Sequence, residues 1–331
     1  MHKRSIIVVG AGITGLWQAL TLAKRGHRVR LIERAGEPFA EAASALAGAM
    51  LAPFCEAEGA EPVVRDLGLR SLTIWKETYP GVTGNGTLVV AGARDRAELT
   101  RFARMTEGFD KVDAEALHAL EPGLDGRFAA GLLYPDEAHM APREAMQFLL
   151  DATGAAGAEI AAGAAWTGAG AQADIVVDCR GLAARVELPG LRGVRGERLI
   201  VRSREVELRR PVRLLHPRHP LYVVPWGAGR FMIGATVIES DDPGPITVRS
   251  ALELLGAAYA LHPAFGEAEV LDAGAGVRPA FPDNVPKIVV RGRTLHVNGH
   301  YRHGFLMAPA LAEQVALHLE GGATDDRVFV R

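Results

Sequence analysis

The sequence predicts an α/β protein of two domains, one built around parallel strands and one of α+β type with an antiparallel or mixed sheet. The chain opens with an apolar run at residues 5–9, a Gly-rich turn, a helix-periodic segment and a second apolar run at 27–32. A further apolar run at 174–181 has the composition of a strand buried on both faces. Between about 194 and 240 the chain carries short strands and a hairpin, which are typical of antiparallel sheet.

These changes in the pattern of apolar and turn residues divide the 331 residues into interleaved segments. We expect residues 1–82, 138–192 and 270–331 to form the parallel-sheet domain. Residues 83–137 and 193–269 are expected to form the second domain, which interrupts the first one twice.

The Gly-rich turn has the sequence Gly10-Ala11-Gly12-Ile13-Thr14-Gly15 and predicts a Rossmann-like dinucleotide-binding unit. Gly10 permits the tight turn, Gly12 lets a pyrophosphate approach the backbone, and Gly15 lets the helix pack on the strand. Glu33 ends the second strand, 18 residues after Gly15, where a carboxylate can accept hydrogen bonds from both ribose hydroxyls. FAD and NAD both bind to such units, so this segment leaves the choice of dinucleotide open.

Composition and charge limit the partners and the cellular compartment that we expect for the protein. The formal net charge of −2 and the ordinary 48% hydrophobic content give no reason to expect nucleic acid or an anionic membrane as a partner. No apolar run approaches the length of a membrane span, and because residues 1–4 lead directly into the first strand, we expect no signal peptide. The only cysteines, Cys55 and Cys179, favour a reducing compartment, so we expect a cytoplasmic protein.

Two internal segments carry candidate ligand contacts, each with a plainer alternative. Residues 42–53 are small and weakly polar, which suits close approach to a flat ligand, although an Ala-rich helix explains them equally well. Arg278, in Gly276-Val277-Arg278-Pro279, could clamp a substrate carboxylate, whereas most arginines are merely solvated. Tyr222 lies in an apolar strand, and alone it is more typical of a core tyrosine. Cys55 is more typical of a core residue than of a nucleophile.

The segment 298–305 forms a loop with two glycines before a predicted helix at 308–319. Such a loop can supply backbone N–H groups to an electron-rich ring edge. His300 and His303 have no cysteine or carboxylate at ligand spacing, so no metal site is predicted. Gly181, at the end of the run 174–181, is expected at the nucleotide crevice beside the carboxyl ends of the sheet.

Taken together, four segments resemble the D-amino-acid-oxidase superfamily of flavoproteins, and within it the glycine oxidases of the thiamine-biosynthesis type. They are spread over nearly the whole chain and stand in the family's order. The most specific is the Gly-His-Tyr-Arg loop near the C-terminus. The four are Gly10–Gly15 with Glu33, Ala47–Pro53, Gly276–Pro279 and Gly299–Gly304.

The resemblance implies an extended, non-covalent FAD, with its pyrophosphate at the Gly-rich turn and its ribose on Glu33. It also implies that Arg278 and Tyr222 bind the substrate carboxylate and that Arg302 lies close to flavin and substrate. Val237, Met50, His300 and Tyr301 are then expected in the substrate pocket. The implied cofactor contacts are Gly10, Gly12, Ile13, Thr14, Gly15, Glu33, Arg34, Ser44, Gly48, Ala49, Met50, Gly181, Gly299, His300, Tyr301, Arg302, His303, Gly304 and Phe305.

The chain departs from the family pattern at three places. Val237 stands where family members can carry a bulkier methionine, and a smaller residue could leave room for substrates beyond glycine. His303 replaces a frequent asparagine. The region 154–173 is short, which leaves the adenine contacts open.

The function expected from this resemblance is oxidation of glycine, or of a small or N-substituted amino acid, to an imine. O2 is expected to be reduced to H2O2, with the imine supplying thiamine thiazole synthesis, and a dimer or tetramer is expected. A sarcosine or D-amino-acid oxidase or dehydrogenase, or use of a quinone as acceptor, stays open within the family. A NAD-dependent dehydrogenase and a non-catalytic flavin-binding protein are the alternatives outside it.

Overall fold

The computed structural model describes residues 3–124, 126–168, 172–217 and 220–330. Its strands are β1 Ser5–Val9, β2 Arg28–Glu33, β3 Met50–Leu51, β4 Thr87–Ala91, β5 Asp110–Asp113, β6 Ala130–Tyr134, β7 Ala138–His139, β8 Glu159–Ala162, β9 Ile175–Asp178, β10 Arg192–Arg202, β11 Val212–Leu215, β12 Leu221–Pro225, β13 Arg230–Gly234, β14 Ile238–Glu239, β15 Glu269–Ala280, β16 Lys287–Arg291, β17 Thr294–Asn298 and β18 Phe329–Val330. Its α-helices are α1 Ile13–Lys24, α2 Pro53–Glu56, α3 Pro62–Thr78, α4 Arg96–Met105, α5 Ala114–Leu120, α6 Pro142–Ala155, α7 Val248–Leu261 and α8 Gly304–Leu319.

Within these residues, seven strands form a first sheet in the order β18-β16-β17-β9-β1-β2-β8. The central strand β1 runs parallel to both β2 and β9, and β17 runs parallel to β9. Because parallel strands end at one edge, the segments that follow β1, β2, β9 and β17 meet there. The predicted α/β fold class is therefore confirmed, and this edge carries the Gly-rich turn, Glu33, Gly181 and the C-terminal loop.

Helices α1, α3, α6 and α8 cover this sheet and build the largest core. Helix α8 begins at Gly304, four residues before the predicted start, and runs through Pro309. A proline inside a helix leaves the carbonyl four residues earlier without its usual donor. In this chain the carbonyl of Phe305 accepts a hydrogen bond of 2.8 Å from the Trp75 indole N–H of α3 instead. This contact allows the helix to start at the loop.

The second sheet is ordered β14-β10-β13-β12-β11-β4-β6-β5, and β15 also pairs with β10. Its mostly antiparallel strands pack on α7 and on a second core. The twelve-residue strand β15 belongs to this sheet, so residues 270–280 lie apart from the parallel sheet to which the sequence assigned them. The sequence-based boundary at 270 therefore falls inside a strand, and we propose to end the second domain at Ala280.

Candidate active site

A cavity of about 860 Å³ lies between the strand ends of the first sheet and one face of the second. The Gly-rich turn, Glu33, residues 40–44 and 46–50, and Gly181 line one end of it. Tyr222, Met232, Arg278 and the C-terminal loop line the other. A pocket of this size and mixed lining is typical of a cofactor site with room for a small substrate.

The Gly-rich turn is packed too tightly for side chains at two of its glycines. Gly10 has a φ of +95°, and a Cβ there would lie 2.8 Å from the carbonyl oxygen of Cys179. A Cβ at Gly15 would lie 1.7 Å from the carbonyl oxygen of Gly10. Gly12 caps the N-terminus of α1, where only the Ser44 hydroxyl comes near, at 3.5 Å from a Cβ. The turn thus leaves open backbone at the start of α1, where a phosphate binds, although the Ile13 N–H already donates to the Ser44 hydroxyl at 3.1 Å.

Glu33 is already held in place by the backbone around it. Its two carboxylate oxygens accept hydrogen bonds from the N–H of Ala11 at 2.7 Å and of Ala35 at 3.0 Å. The carboxylate lines the cavity at the end of β2. Its remaining lone pairs can accept hydrogen bonds from two ribose hydroxyls.

Residues 42–53 do not form the Ala-rich helix that their composition allowed. They form a short 3₁₀ turn at Ala43–Leu46, the strand β3 and the start of α2. Gly48 passes close to the second sheet, since a Cβ there would lie 3.1 Å from the Tyr222 ring. Ala49 takes the left-handed conformation with a φ of 51°. Ser44, Gly48, Ala49 and Met50 all line the cavity.

Arg278 extends from β15 across the face of β10. A Cβ at Gly196 would lie 1.9 Å from Nη2 of Arg278, so the absent side chain provides the space for the guanidinium. Nη1 donates to the carbonyl of Thr236 at 3.2 Å. Arg278 forms no ion pair with any described residue, and burial lowers the pKa of its guanidinium. It is a partly buried cation that faces the cavity with unused donors.

The C-terminal loop is fastened to both sheets. The Tyr301 N–H donates to the Pro279 carbonyl at 2.8 Å, directly beside Arg278. Nε2 of His300 lies 3.4 Å from the Thr14 hydroxyl of α1. Burial lowers the pKa of both His300 and His303 to about 4, so both imidazoles are neutral at pH 7.

Glu56 and Arg213 were missed by the sequence reasoning and lie in the cavity wall. Glu56 pairs with Arg213 of β11 and with Nε of Arg302 at 3.0 Å. Although burial opposes it, Arg302, Arg213 and His303 lower the pKa of Glu56 well below its usual range. The carboxylate is therefore charged and fixes Arg302 against the second sheet. No sequence signal links these residues, because their pairing depends on the packing of two sheets.

The cavity brings together most of the residues that the sequence singled out, with three exceptions. Val237, expected in the substrate pocket, does not line the cavity and is 49% exposed. Its neighbours Ala235 and Thr236 lie with it in the loop between β13 and β14, where Ala235 lines the cavity and the Thr236 carbonyl accepts from Arg278. Gly15 packs against Gly10, and Gly299 packs against Phe281 behind the wall. From the short region 154–173, residues 164–166 line the cavity, while 169–171 lie outside the described residues.

The described residues contain neither a cluster suited to a metal ion nor a helix suited to crossing a membrane. No group of three or more His, Cys, Asp or Glu side chains is arranged to hold a metal ion there. None of the helices in the described ranges is long and apolar enough to cross a membrane.

The residues present fit an FAD molecule. The side-chain-free turn at Gly10, Gly12 and Gly15 leaves room for a pyrophosphate at the start of α1. Glu33 is preset for a ribose, and the backbone at 48–50 and the loop 300–305 line the far half of the cavity. FAD, as a long molecule with one anionic centre and a flat ring, matches this distribution of donors and apolar wall.

Comparison with known proteins agrees with this fit. The sequence matches the DAO family, described as FAD dependent oxidoreductase, over residues 5–317. A Rhizobium etli protein named "Putative thiamine biosynthesis oxidoreductase ThiO" is 56% identical over 319 residues, which covers 95% of this chain and 96% of that protein. A D-amino-acid oxidase of Streptomyces coelicolor is 31% identical over 330 residues, covering 94% of this chain and 95% of that protein.

The fold is also similar to that of a solved glycine oxidase. The crystal structure of glycine oxidase from Geobacillus kaustophilus aligns with a TM-score of 0.82 and 25% identity, over 98% of this chain and 96% of that chain. The cofactor is therefore FAD, and the resemblance drawn from the four sequence segments is confirmed. The chain belongs to the DAO family of FAD-dependent oxidoreductases and is similar to ThiO and glycine oxidase.

Proposed function

We propose that this enzyme oxidises glycine, or a small N-substituted glycine, to the corresponding imine, with O2 reduced to H2O2. The observation that carries the proposal is Arg278, a partly buried guanidinium that faces the cavity and has no ion-pair partner among the described residues. An α-carboxylate is the group that such a cation binds best, because charge-assisted hydrogen bonds are strongest in a dry site.

Tyr222 supports the same role from the neighbouring strands. It lines the cavity on β12, and its cross-strand partner Gly234 leaves room for the Met232 side chain, which also lines the cavity. A phenol hydroxyl and a guanidinium that hold one carboxylate fix the orientation of the Cα–H bond. Positioning of this kind supplies most of the rate enhancement when no covalent step on the protein is needed.

FAD, when bound, supplies the two-electron acceptor for the hydride of the α-carbon and returns the electrons to O2. Charged side chains of the protein set the electrostatic potential at the substrate end of the cavity. Arg278, Arg302 and Arg213 line this end of the cavity against one carboxylate, Glu56. Their positive charge favours the neutral amine of the substrate over the ammonium, and only the neutral amine has a lone pair to assist hydride loss.

The biological context belongs to the same proposal. The 56% identity with the Rhizobium etli ThiO supports a role in supplying an imine for thiamine thiazole synthesis. Cys55 and Cys179 are buried free thiols, which supports a cytoplasmic location. We also propose a homo-oligomer, a dimer or tetramer.

A D-amino acid is the second candidate substrate, favoured by the similarity to the Streptomyces coelicolor D-amino-acid oxidase. Glycine, sarcosine and D-alanine therefore form the natural substrate panel. The FAD-loaded enzyme should consume O2 with glycine and release H2O2 and ammonia in equal amounts. Turnover with D-alanine alone would replace glycine as substrate, and no O2 uptake or dye reduction with any of the three would contradict the proposal.

A further inference from the structure

Arg198 is a buried cation in the cavity wall that the proposed reaction does not use. It lies on β10, lines the cavity and is 3% exposed. Its Nη2 lies 2.8 Å from a carboxylate oxygen of Asp272, a side chain that is 54% exposed. Its Nε and Nη1 have no hydrogen-bond partner among the residues that the structure describes. Buried donors of a charged group are costly to leave unpaired, so a partner from outside the chain is expected.

The register of the second sheet brings Arg198 to the face that carries Tyr222. Gly234 of β13 pairs with Tyr222 on one side and with Arg198 on the other. Side chains in one row of paired residues lie on the same face of the sheet. Since Gly234 has no side chain, Tyr222 and Arg198 flank a gap, with their Cα atoms ~10 Å apart. The flexible Met232 side chain occupies this gap, because a Cβ at Gly234 would lie 2.6 Å from its Cε.

The guanidinium of Arg278 closes the third side of this gap. Gly196 shares the face of Arg198, ~6.6 Å away along β10, and the Arg278 guanidinium lies over Gly196. On β15, Gly276 and Gly274 stand opposite Gly196 and Arg198. Glycines therefore form the floor between the two guanidinium groups.

The opposite side of this depression is apolar. Leu46 lies over β15, where a Cβ at Gly276 would meet its Cδ1 at 3.0 Å and a Cβ at Gly274 its Cδ2 at 3.4 Å. A long arginine side chain can turn its donors toward the cavity at little cost when its only ion pair is half open to solvent.

The charges at this end of the cavity are unbalanced. Four guanidinium groups line it, whereas the lining carboxylate of Glu56 is already paired with Arg213 and Arg302, and that of Asp241 with Arg185. One α-carboxylate satisfies Arg278 and leaves Arg198 without an anion in the cavity. The four are Arg198, Arg213, Arg278 and Arg302.

We propose that Arg198 forms a second anion subsite, so that the enzyme favours amino acids with a second carboxylate on the amine substituent or side chain. This inference rests on the proposed function, because it assumes that the α-carboxylate binds to Arg278 and Tyr222. The second carboxylate then accepts hydrogen bonds from Arg198. N-(Carboxymethyl)glycine, whose two carboxylates are joined by three atoms, is a substrate of this kind.

Two ethers that cannot be oxidised at an amine test the subsite without turnover. Diglycolate carries two carboxylates on a three-atom link, and methoxyacetate carries one on a chain of similar shape. Calorimetry on the FAD-loaded protein should show diglycolate binding at least tenfold more tightly than methoxyacetate. Arg198→Gln should bring this ratio below threefold and change methoxyacetate affinity less than twofold. Arg198→Lys should retain a ratio above threefold, because it keeps the charge.

Asp272→Asn is the matched control, because it removes the same ion pair and leaves the cation in place. It should keep the preference for diglycolate. An equal affinity for both ethers in the wild-type protein, or an equal loss of preference in Asp272→Asn and Arg198→Gln, would show that Arg198 is only part of the sheet and would overturn the inference. Glycine turnover is scored separately. An Arg198-dependent preference for diglycolate without any amine oxidation would contradict the proposed function alone. Glycine oxidation without this preference would contradict the present inference alone.

Discussion

Single residues in the cavity differ in how far the sequence could predict them. Arg278 stands in a short motif that could be assigned through the family resemblance, and its free guanidinium in the cavity agrees with that assignment. Glu56 and Arg198 stand in no motif, and their importance depends on partners from distant strands. Val237 was expected in the substrate pocket through the family resemblance, but it lies outside the cavity. Buried pairs across two sheets have no local signal, which is why the sequence missed them.

Tyr222→Phe should weaken substrate binding without changing the fold. The change removes one hydroxyl that can donate to the substrate carboxylate, and a typical hydrogen bond contributes about 1 kcal/mol. We therefore expect the KM for glycine to rise roughly fivefold, with kcat/KM falling in proportion. Steady-state O2 uptake measures both constants. A wild-type KM in the variant would place the hydroxyl outside the carboxylate site.

Glu137 should make stability depend on pH. Burial raises the pKa of this carboxyl to about 7, although the Cys55 N–H donates to it at 2.7 Å. The unfolded carboxyl titrates near 4.3, so the folded state holds an extra proton between these values. Stability from this group is present at low pH and is lost as the pH rises from about 4.3 to 7.

Glu137→Gln, which resembles the protonated carboxyl, isolates this contribution. The variant should gain stability relative to the wild-type protein as the pH rises from 5 to 8. Urea unfolding of both proteins at several pH values measures the difference, which should reach on the order of 2–3 kcal/mol. A difference that stays constant with pH would show that the carboxyl titrates normally in the folded state.

At the scale of elements, local patterns predicted the first strand–helix–strand unit, the strand that precedes Gly181 and the C-terminal helix, and pairing was harder to predict. The unit β1–α1–β2 could be predicted from residues 5–33 alone, because the spacing of the apolar residues and the positions of the glycines indicate the same strand–turn–helix–strand order. By contrast, β15 pairs along its whole length with β10, about seventy residues earlier. Gly274 and Gly276 weaken its strand signal, since glycine is disfavoured in strands. The early start of α8 depended on Trp75, which no reading of residues 304–309 alone could include.

Gly12→Ala tests the Gly-rich turn as an FAD-binding element. A Cβ at this position meets only the Ser44 hydroxyl at 3.5 Å, so the protein without FAD should fold normally. The methyl group would stand where the pyrophosphate approaches the backbone. We expect FAD affinity, measured by fluorescence titration of the apoprotein, to fall at least tenfold.

Gly36→Ala is the control for this change, since a Cβ there meets nothing within 4 Å. It should bind FAD like the wild-type protein. Equal FAD affinities in Gly12→Ala and Gly36→Ala would argue against a phosphate at the turn.

Across the whole molecule, the cavity exists because two sheets with separate cores meet at the strand ends of the first. Glu56 of α2 connects them, with Arg213 on β11 and Arg302 in the loop between β17 and α8. One carboxylate thus sets the position of the C-terminal loop relative to the second sheet.

Glu56→Gln should destabilise the protein and disturb the cavity together. Removing one partner of a buried ion pair costs about 3–5 kcal/mol, because the other charges stay buried. Urea unfolding at pH 7 measures this loss. Glu239→Gln, which breaks the exposed pair with Arg192, should cost less than about 1 kcal/mol. Similar losses in both variants would show that Glu56 has no special role between the sheets.

The carboxylate role of Arg278 is tested most directly by anaerobic mixing of the FAD-loaded wild-type protein and Arg278→Ala with increasing glycine, followed at the long-wavelength flavin band. We expect the variant to keep its FAD, while the glycine concentration for half-maximal bleaching rises more than tenfold. Loss of the partner of a desolvated carboxylate supports a rise of this size, at about 3–5 kcal/mol. Bleaching of the variant at wild-type glycine concentrations would contradict the carboxylate role of Arg278 and, with it, the proposed function.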